Sequence, residues 1–241
     1  MNKNYNTLDN YYKSIYNKKV AKISLNANFT CPNKDGKKSF KGCTYCSKLG
    51  SGDTAGDRKL SLTDQYYQIK EIMDKKWNNL LYIPYLQANS NTYGEITKLR
   101  KVYEEIINID KENTIGIAIA TRPDCFSDEI YDLWEEINQK KKVIIELGLQ
   151  TSNETTANKI NRCSTNQEFI DAVLNLKKRN IEVVAHIING LPNETEKDML
   201  NTIDFINTLP IDGLKIHSLL ILKNTTLYDE YLENPFKLLT L

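Results

Sequence analysis

The feature that most constrains this chain is an alternation. Short apolar runs rich in Ile, Val and Leu are separated by longer amphipathic stretches, from Val20 to Leu222. The apolar runs are 20–26 (VAKISLN), 80–86 (LLYIPYL), 114–120 (TIGIAIA), 142–150 (KVIIELGLQ), 181–188 (IEVVAHII) and 213–222 (GLKIHSLLIL). Most show little polar alternation, the pattern of parallel strands covered on both faces. Between them, Tyr66, Ile69, Met73 and Trp77 share one face at helical spacing, with Ser61 or Thr63 as cap. Further helices are expected over "EITKLRKVYEEIINI", after the cap Ser127, over "NQEFIDAVLNLKKR" and over "EKDMLNTIDFIN". Six strands joined by helical crossovers form a βαβ array.

That array suits a doubly wound sheet or a barrel. The unusual polar residues decide between them, because almost all fall at or just after the C-terminal end of a strand, where a barrel assembles its site. The expected fold is α/β, a partial TIM barrel of (βα)6 type with parallel strands. No Gly/Pro/Ser-rich linker divides it. One core domain is expected over 20–223, after an N-terminal extension, 1–19, and before a C-terminal segment that starts at 224–241.

Five cysteines, an odd number, and an opening segment, "MNKNYNTLDNYYKSIYNKK", without the apolar centre of a secretory leader imply a reduced, cytoplasmic chain without a disulfide framework. The longest apolar runs are far short of a bilayer span, so no membrane partner is expected. The charge is uneven. Residues 1–59 hold twelve Lys/Arg against four Asp/Glu, a surplus of eight, while the remainder holds twenty against twenty-seven. A basic first quarter suits contact with an anion such as RNA, and equally suits a solvated lysine-rich loop.

Three of the cysteines, Cys31, Cys43 and Cys46, lie in one polar, glycine-bearing loop. Residue types and spacing leave three readings open: structural zinc, an iron–sulfur cluster, or thiols without chemistry. Structural zinc takes four ligands, and no fourth is near in sequence. A [4Fe–4S] cluster held by three thiolates keeps one iron open for another ligand. Buried cysteines without chemistry usually occupy apolar periodic segments.

The Cys43-Thr44-Tyr45-Cys46 pair, with Cys31 upstream, resembles the cluster loop of radical S-adenosylmethionine (SAM) enzymes. Eleven residues separate Cys31 from Cys43 where the superfamily usually has three, and this longer loop is similar to that of the YhcC-like branch, related to the catalytic subunit of Elongator. "CPNKDG", "GCTYC", "ATRPDC", "ELGLQTS", "INR", "HIINGLPNET" and "LKIHSLLILK" resemble that branch in order. Its members continue for several tens of residues beyond "NPFKLLTL", so the chain reads as C-terminally short.

The resemblance implies a [4Fe–4S] cluster on Cys31, Cys43 and Cys46, SAM on its open iron, and an electron donor of flavodoxin or ferredoxin type. It further implies work on the wobble uridine side chain of tRNA, including loss of the carboxymethyl group from carboxymethylaminomethyluridine. Tyr45, Gln87 and Asn89 become candidate cofactor contacts, as do Gln150 and Thr151. "HIINGLPNET" resembles the segment that holds adenine, with Gly190 allowing close approach and Glu194 pinning the loop. Arginine is scarce, and its planar fork suits carboxylates, so Arg162 is the candidate for the SAM carboxylate. Arg122 with Asp124 is assigned to the substrate side or to a strand-end brace. Lys215 and His217 share one face of the last strand and are candidates for substrate contact. His186 reads as a core histidine, and Cys125 and Cys163 receive no role. The rival reading, from a different class, is a non-catalytic binding module stabilised by zinc or a cluster.

Overall fold

A computed structural model describes residues 5–239. Six strands, β1 (Val20–Leu25), β2 (Leu81–Leu86), β3 (Ile117–Thr121), β4 (Val143–Gln150), β5 (Glu182–Asn189) and β6 (Gly213–Ser218), form one sheet. The spatial order is β1-β2-β3-β4-β5-β6 and every pairing is parallel. Helices α2 (Leu62–Lys76), α3 (Ile96–Asn108), α4 (Asp128–Lys140), α6 (Asn166–Lys178) and α7 (Glu196–Asn207) cross between successive strands. Strand order that follows chain order without reversal excludes the doubly wound alternative. The result is the expected half-barrel.

Side chains on the two faces of the strands explain the unbroken apolar runs. Ile23, Leu25, Ile117, Ile119, Ile145, Leu147, Val183 and Ala185 point outward and pack with Tyr66, Leu99, Trp134 and Phe169 from the crossover helices. The inward face is layered. Its lowest layer joins Ile83, Ala118 and Ile144, with Val20 and Val184, to Tyr12 of α1 (Leu8–Tyr16). Helix α1 thus plugs the end of the barrel where the strands begin. Above that plug the inward positions turn polar.

Ser61 caps α2 by accepting from the Asp64 N–H, as expected, while Ser127 stands at the N-cap of α4 without a side-chain bond. The last expected strand differs most at its end: β6 stops at Ser218, well before Leu222. Helix α1, the six-residue α5 (Glu154–Lys159) and α8 (Thr226–Glu233) are additions to the sequence reading. The first buries tyrosine, and α5 is too short and polar to show a 3.6-residue apolar period. Among the described residues no helix is long and apolar enough to cross a membrane.

Candidate functional site

The chain leaves β1 into a long loop containing the three clustered cysteines. Gly36, Gly42 and Gly50 all take positive φ there, and at Gly50 a Cβ would stand 2.0 Å from Asn89 Oδ1. Glycine is therefore required where the loop crosses the end of β2. The Gly42 N–H to Asn33 O bond (2.7 Å) folds the loop on itself, and Thr44 N–H to Ile160 O (3.0 Å) and Asn89 N–H to Gly50 O (2.8 Å) fix it to the barrel rim. Lys34 Nζ donates to Ser47 O at 2.8 Å and to Asn89 Oδ1 at 3.3 Å.

All three thiols are free and line one cavity of about 290 Å³ at the C-terminal ends of the strands. Several features suit them to a cluster. Asn33, fully buried, aims Nδ2 at Cys43 Sγ (3.5 Å) while its Oδ1 has no protein partner. Tyr45 lines the cavity with its hydroxyl facing Cys43. Burial pushes the Cys31 thiol up to about 11 and raises Cys46 too, where the Lys34 charge opposes the rise. Such thiols give up protons on binding metal. Among the described residues no three His, Cys, Asp or Glu side chains converge on a single-ion position. Cluster ligands each take a different iron, so they need no such convergence.

Other expected site residues divide. Gln87, Asn89, Gln150, Arg122 and Arg162 line the same cavity, as do Lys215 and His217. Gln150 sits at φ 69° in a bulge of β4, and a Cβ on Gly148 would meet its Nε2 at 2.7 Å. The bulge re-aims that amide inward. Asn89 (φ 61°) and Gln87 bind loop carbonyls, Phe29 O at 3.0 Å and Ser51 O at 2.8 Å.

Arg122 grips Asp124 through Nε (2.8 Å) and Nη2 (2.7 Å), and Lys38 of the cysteine loop adds a third bond to Asp124 at 2.7 Å. Burial would raise the Asp124 carboxyl, but these cations hold it below the usual range. The pair is thus a brace tying the end of β3 to the cysteine loop, and Asp124 is outside the cavity wall.

Three assignments need correction. Arg162 is 2% exposed, and its five N–H groups go to Ser164 O, Leu149 O, Thr151 O, Glu154 and Asn166. No donor remains for a SAM carboxylate. Thr151 turns away from the cavity and donates to Glu194 Oε1 at 2.5 Å, so both residues pin the β4 and β5 loops together. At Gly190 (φ 84°) a Cβ would meet Leu239 Cγ at 2.9 Å, and the groove there is lined by Phe236 and Leu238 of the same chain. That groove shares no lining residue with the cavity of the cysteines.

His186 also departs from the reading as a plain core histidine. Its Nε2 lies 2.6 Å from Glu146 Oε2, and both line the cavity. Glu146, buried to 1% exposure, is ion-paired with Lys22 and stands 3.5 Å from Lys215. Burial would raise its pKa; the His186 bond and the Lys22 and Lys215 charges instead hold it far below the carboxylate range. Lys22, Tyr85 and Glu146 received no role from the sequence because linear order does not show which inward side chains meet across the barrel; for Glu146 the signal was that a charged residue is almost never fully buried unless paired. Cys125 is buried, its thiol pushed up to about 12, the mark of an inert thiol.

The model of the radical SAM superfamily matches residues 36–206, a span that contains Cys43 and Cys46 and begins after Cys31. "Uncharacterized protein YtqA" of Bacillus subtilis (strain 168) is 40% identical over 238 residues, covering 99% of this chain and 73% of that protein. "Protein YhcC" of Escherichia coli (strain K12) is 32% identical over 211 residues, 87% of this chain and 66% of that one. The chain therefore spans about two thirds to three quarters of these relatives. Among solved structures, Elp3 of the archaeon Methanocaldococcus infernus superposes with a TM-score of 0.59 at 16% identity, over 91% of this chain and 50% of that one. That likeness concerns the fold.

Proposed function

The chain belongs to the radical SAM superfamily, and on that premise we propose that it is an enzyme holding a [4Fe–4S] cluster on Cys31, Cys43 and Cys46. Its substrate in this reading is a wobble uridine side chain of tRNA, and its place is the cytoplasm. The single observation that carries the reading is that three free thiols of one loop face the cavity where the polar strand ends converge. When bound, the cluster supplies the electron that splits SAM into methionine and a 5′-deoxyadenosyl radical.

The residues of the chain supply position and shelter. Asn33 orients Cys43 through its amide, and Lys34 sets a positive charge beside Cys46. The Arg122–Asp124–Lys38 brace holds the loop against β3. Gln150 and Asn89 present amides to the cavity, the kind of few, placed polar groups that orient a ligand. The tyrosine plug at α1 closes the barrel below, which keeps water from a reactive centre. The lysines of the cysteine loop, among them Lys37, Lys41 and Lys48, give a surface for phosphates. Electrons come from a separate carrier of flavodoxin or ferredoxin type.

Anaerobic reconstitution with iron and sulfide, followed by assay of methionine and 5′-deoxyadenosine under reductant, tests the chemistry. A colourless, zinc-loaded protein making no 5′-deoxyadenosine overturns it. Nucleoside analysis of tRNA from cells with and without the gene tests the substrate, and an unchanged wobble-uridine profile removes tRNA while leaving the radical chemistry.

A further inference from the structure

Below the thiols the cavity ends on a layer of charge that cluster binding does not require. Glu146 of β4 meets Lys22 across the barrel and His186 at 2.6 Å. The Lys22 and Lys215 ammonium groups stand 5.1 and 5.2 Å from the centre of the Tyr85 ring. The His217 ring centre lies 5.3 Å from that of His186. Burial pushes both imidazoles down, His217 to about 4, so they are neutral at physiological pH. Burial lowers Lys215 as well, against the pull of Glu146, and its ammonium together with that of Lys22 faces the one carboxylate of Glu146.

A positive charge left over in a partly desolvated cavity is costly unless an anion joins it. The two lysines differ in how far they are committed. Lys22 touches Glu146, whereas Lys215 is 3.5 Å away, beyond ordinary hydrogen-bond length, and its side chain is 40% exposed. Lys215 thus has donors to offer, and His217 lies two residues along the same face of β6. Lys215 is the third residue of its strand, while the cysteines lie beyond the end of β1, so the layer sits deeper than the thiols.

We infer that Lys215, flanked by His217 and steadied by Tyr85 and Glu146, anchors a small oxyanion of the substrate, a carboxylate or a phosphate. The assignment rests on the reading of this cavity as the substrate cavity of a radical SAM enzyme. Lys22 and His186 serve as positioning residues, since their bonds to Glu146 fix the carboxylate that steadies Lys215.

The chain has two histidines, so imidazole NMR signals report the layer directly. The metal-free protein is titrated with sodium acetate, with inorganic phosphate, and with sodium chloride at matched ionic strength. Calorimetry repeats the titrations on the reconstituted protein. The expected result is a saturable shift of the His217 and His186 signals with acetate or phosphate but not chloride; the anion that saturates at lower concentration identifies the group. Lys215→Met weakens that binding on the order of tenfold or more, Lys215→Arg keeps it, and Lys178→Met on the outer helix α6 leaves it unchanged. Shifts that grow linearly and equally with chloride, or that survive Lys215→Met, overturn the subsite. Formation of 5′-deoxyadenosine is measured separately. Activity without saturable anion binding overturns the subsite alone, and anion binding without that product overturns the radical reading alone.

Discussion

Lys22 and Glu146 form an ion pair from the first strand to the fourth, although β2 and β3 lie between them in the sheet. Only a sheet curled into a trough lets inward side chains on such strands meet. The pair is therefore both a product of the curvature and a tie that holds it.

Replacing Glu146 by Gln removes a buried carboxylate and leaves Lys22 and Lys215 facing each other. The expected loss of stability is about 3–5 kcal/mol, because a broken buried pair strands its partner charge. Urea unfolding measures it. The double variant with Lys22→Met recovers part of that loss, and a cost for Glu146→Gln below about 1 kcal/mol contradicts the tie.

For the cysteines, single Ala substitutions at Cys31, Cys43 or Cys46 abolish the cluster's visible absorption and 5′-deoxyadenosine formation. Cys125→Ala and Cys163→Ala retain both, since Cys125 is an inert buried thiol and Cys163 bonds Asn161 Oδ1 at 3.1 Å. A cluster that survives Cys46→Ala contradicts the ligand assignment.

What the sequence revealed and what it concealed follow from where each signal lies. The six strands were legible because parallel strands covered on both faces are unbroken apolar runs, and the cysteine loop because thiols in a polar glycine-bearing segment are out of place in a core. The inner face was hidden for the reason that made the strands visible. In "VIIELGLQ" and "EVVAHIIN" one Glu and one His interrupt apolar runs, and linear order does not show that the two meet across the sheet. Arg162 misled because scarcity and planarity suit a carboxylate clamp and a carbonyl clamp equally. Which one forms depends on where the backbone oxygens of Leu149, Thr151 and Ser164 fall in space.

Arg162 is accordingly predicted to act on stability. Arg162→Lys keeps the charge but lacks the fork, so several buried carbonyls lose their donors, at a cost on the order of 3 kcal/mol. Thermal unfolding of the metal-free protein shows this without any cofactor. If Arg162→Lys instead leaves the melting temperature unchanged and weakens SAM binding, the clamp on backbone oxygens is the wrong account.

The histidines set the acid side of the stability profile. Burial lowers His217 to about 4, with the His186 and Lys215 charges adding to the effect, and burial lowers His186 against the pull of Glu146. In the unfolded chain both titrate near the ordinary imidazole value of about 6.5. Between 6.5 and about 4 the unfolded state binds more protons than the folded one, so stability rises with pH there and falls on acidification. Glu146 acts in the same direction but lower, because its folded-state pKa is depressed and its contribution fades only as pH drops below the ordinary carboxylate range. His217 is exposed as a whole residue although its ring lies against His186 in the cavity lining, so screening reduces its share. Denaturant unfolding across that range is expected to show a stability plateau at neutral pH and a decline beginning near 6.5. His217→Gln flattens the upper part of the decline and leaves the lower, carboxylate part in place. Stability that rises on acidification from about 6.5 toward about 4 contradicts the lowered pKa values of these two rings.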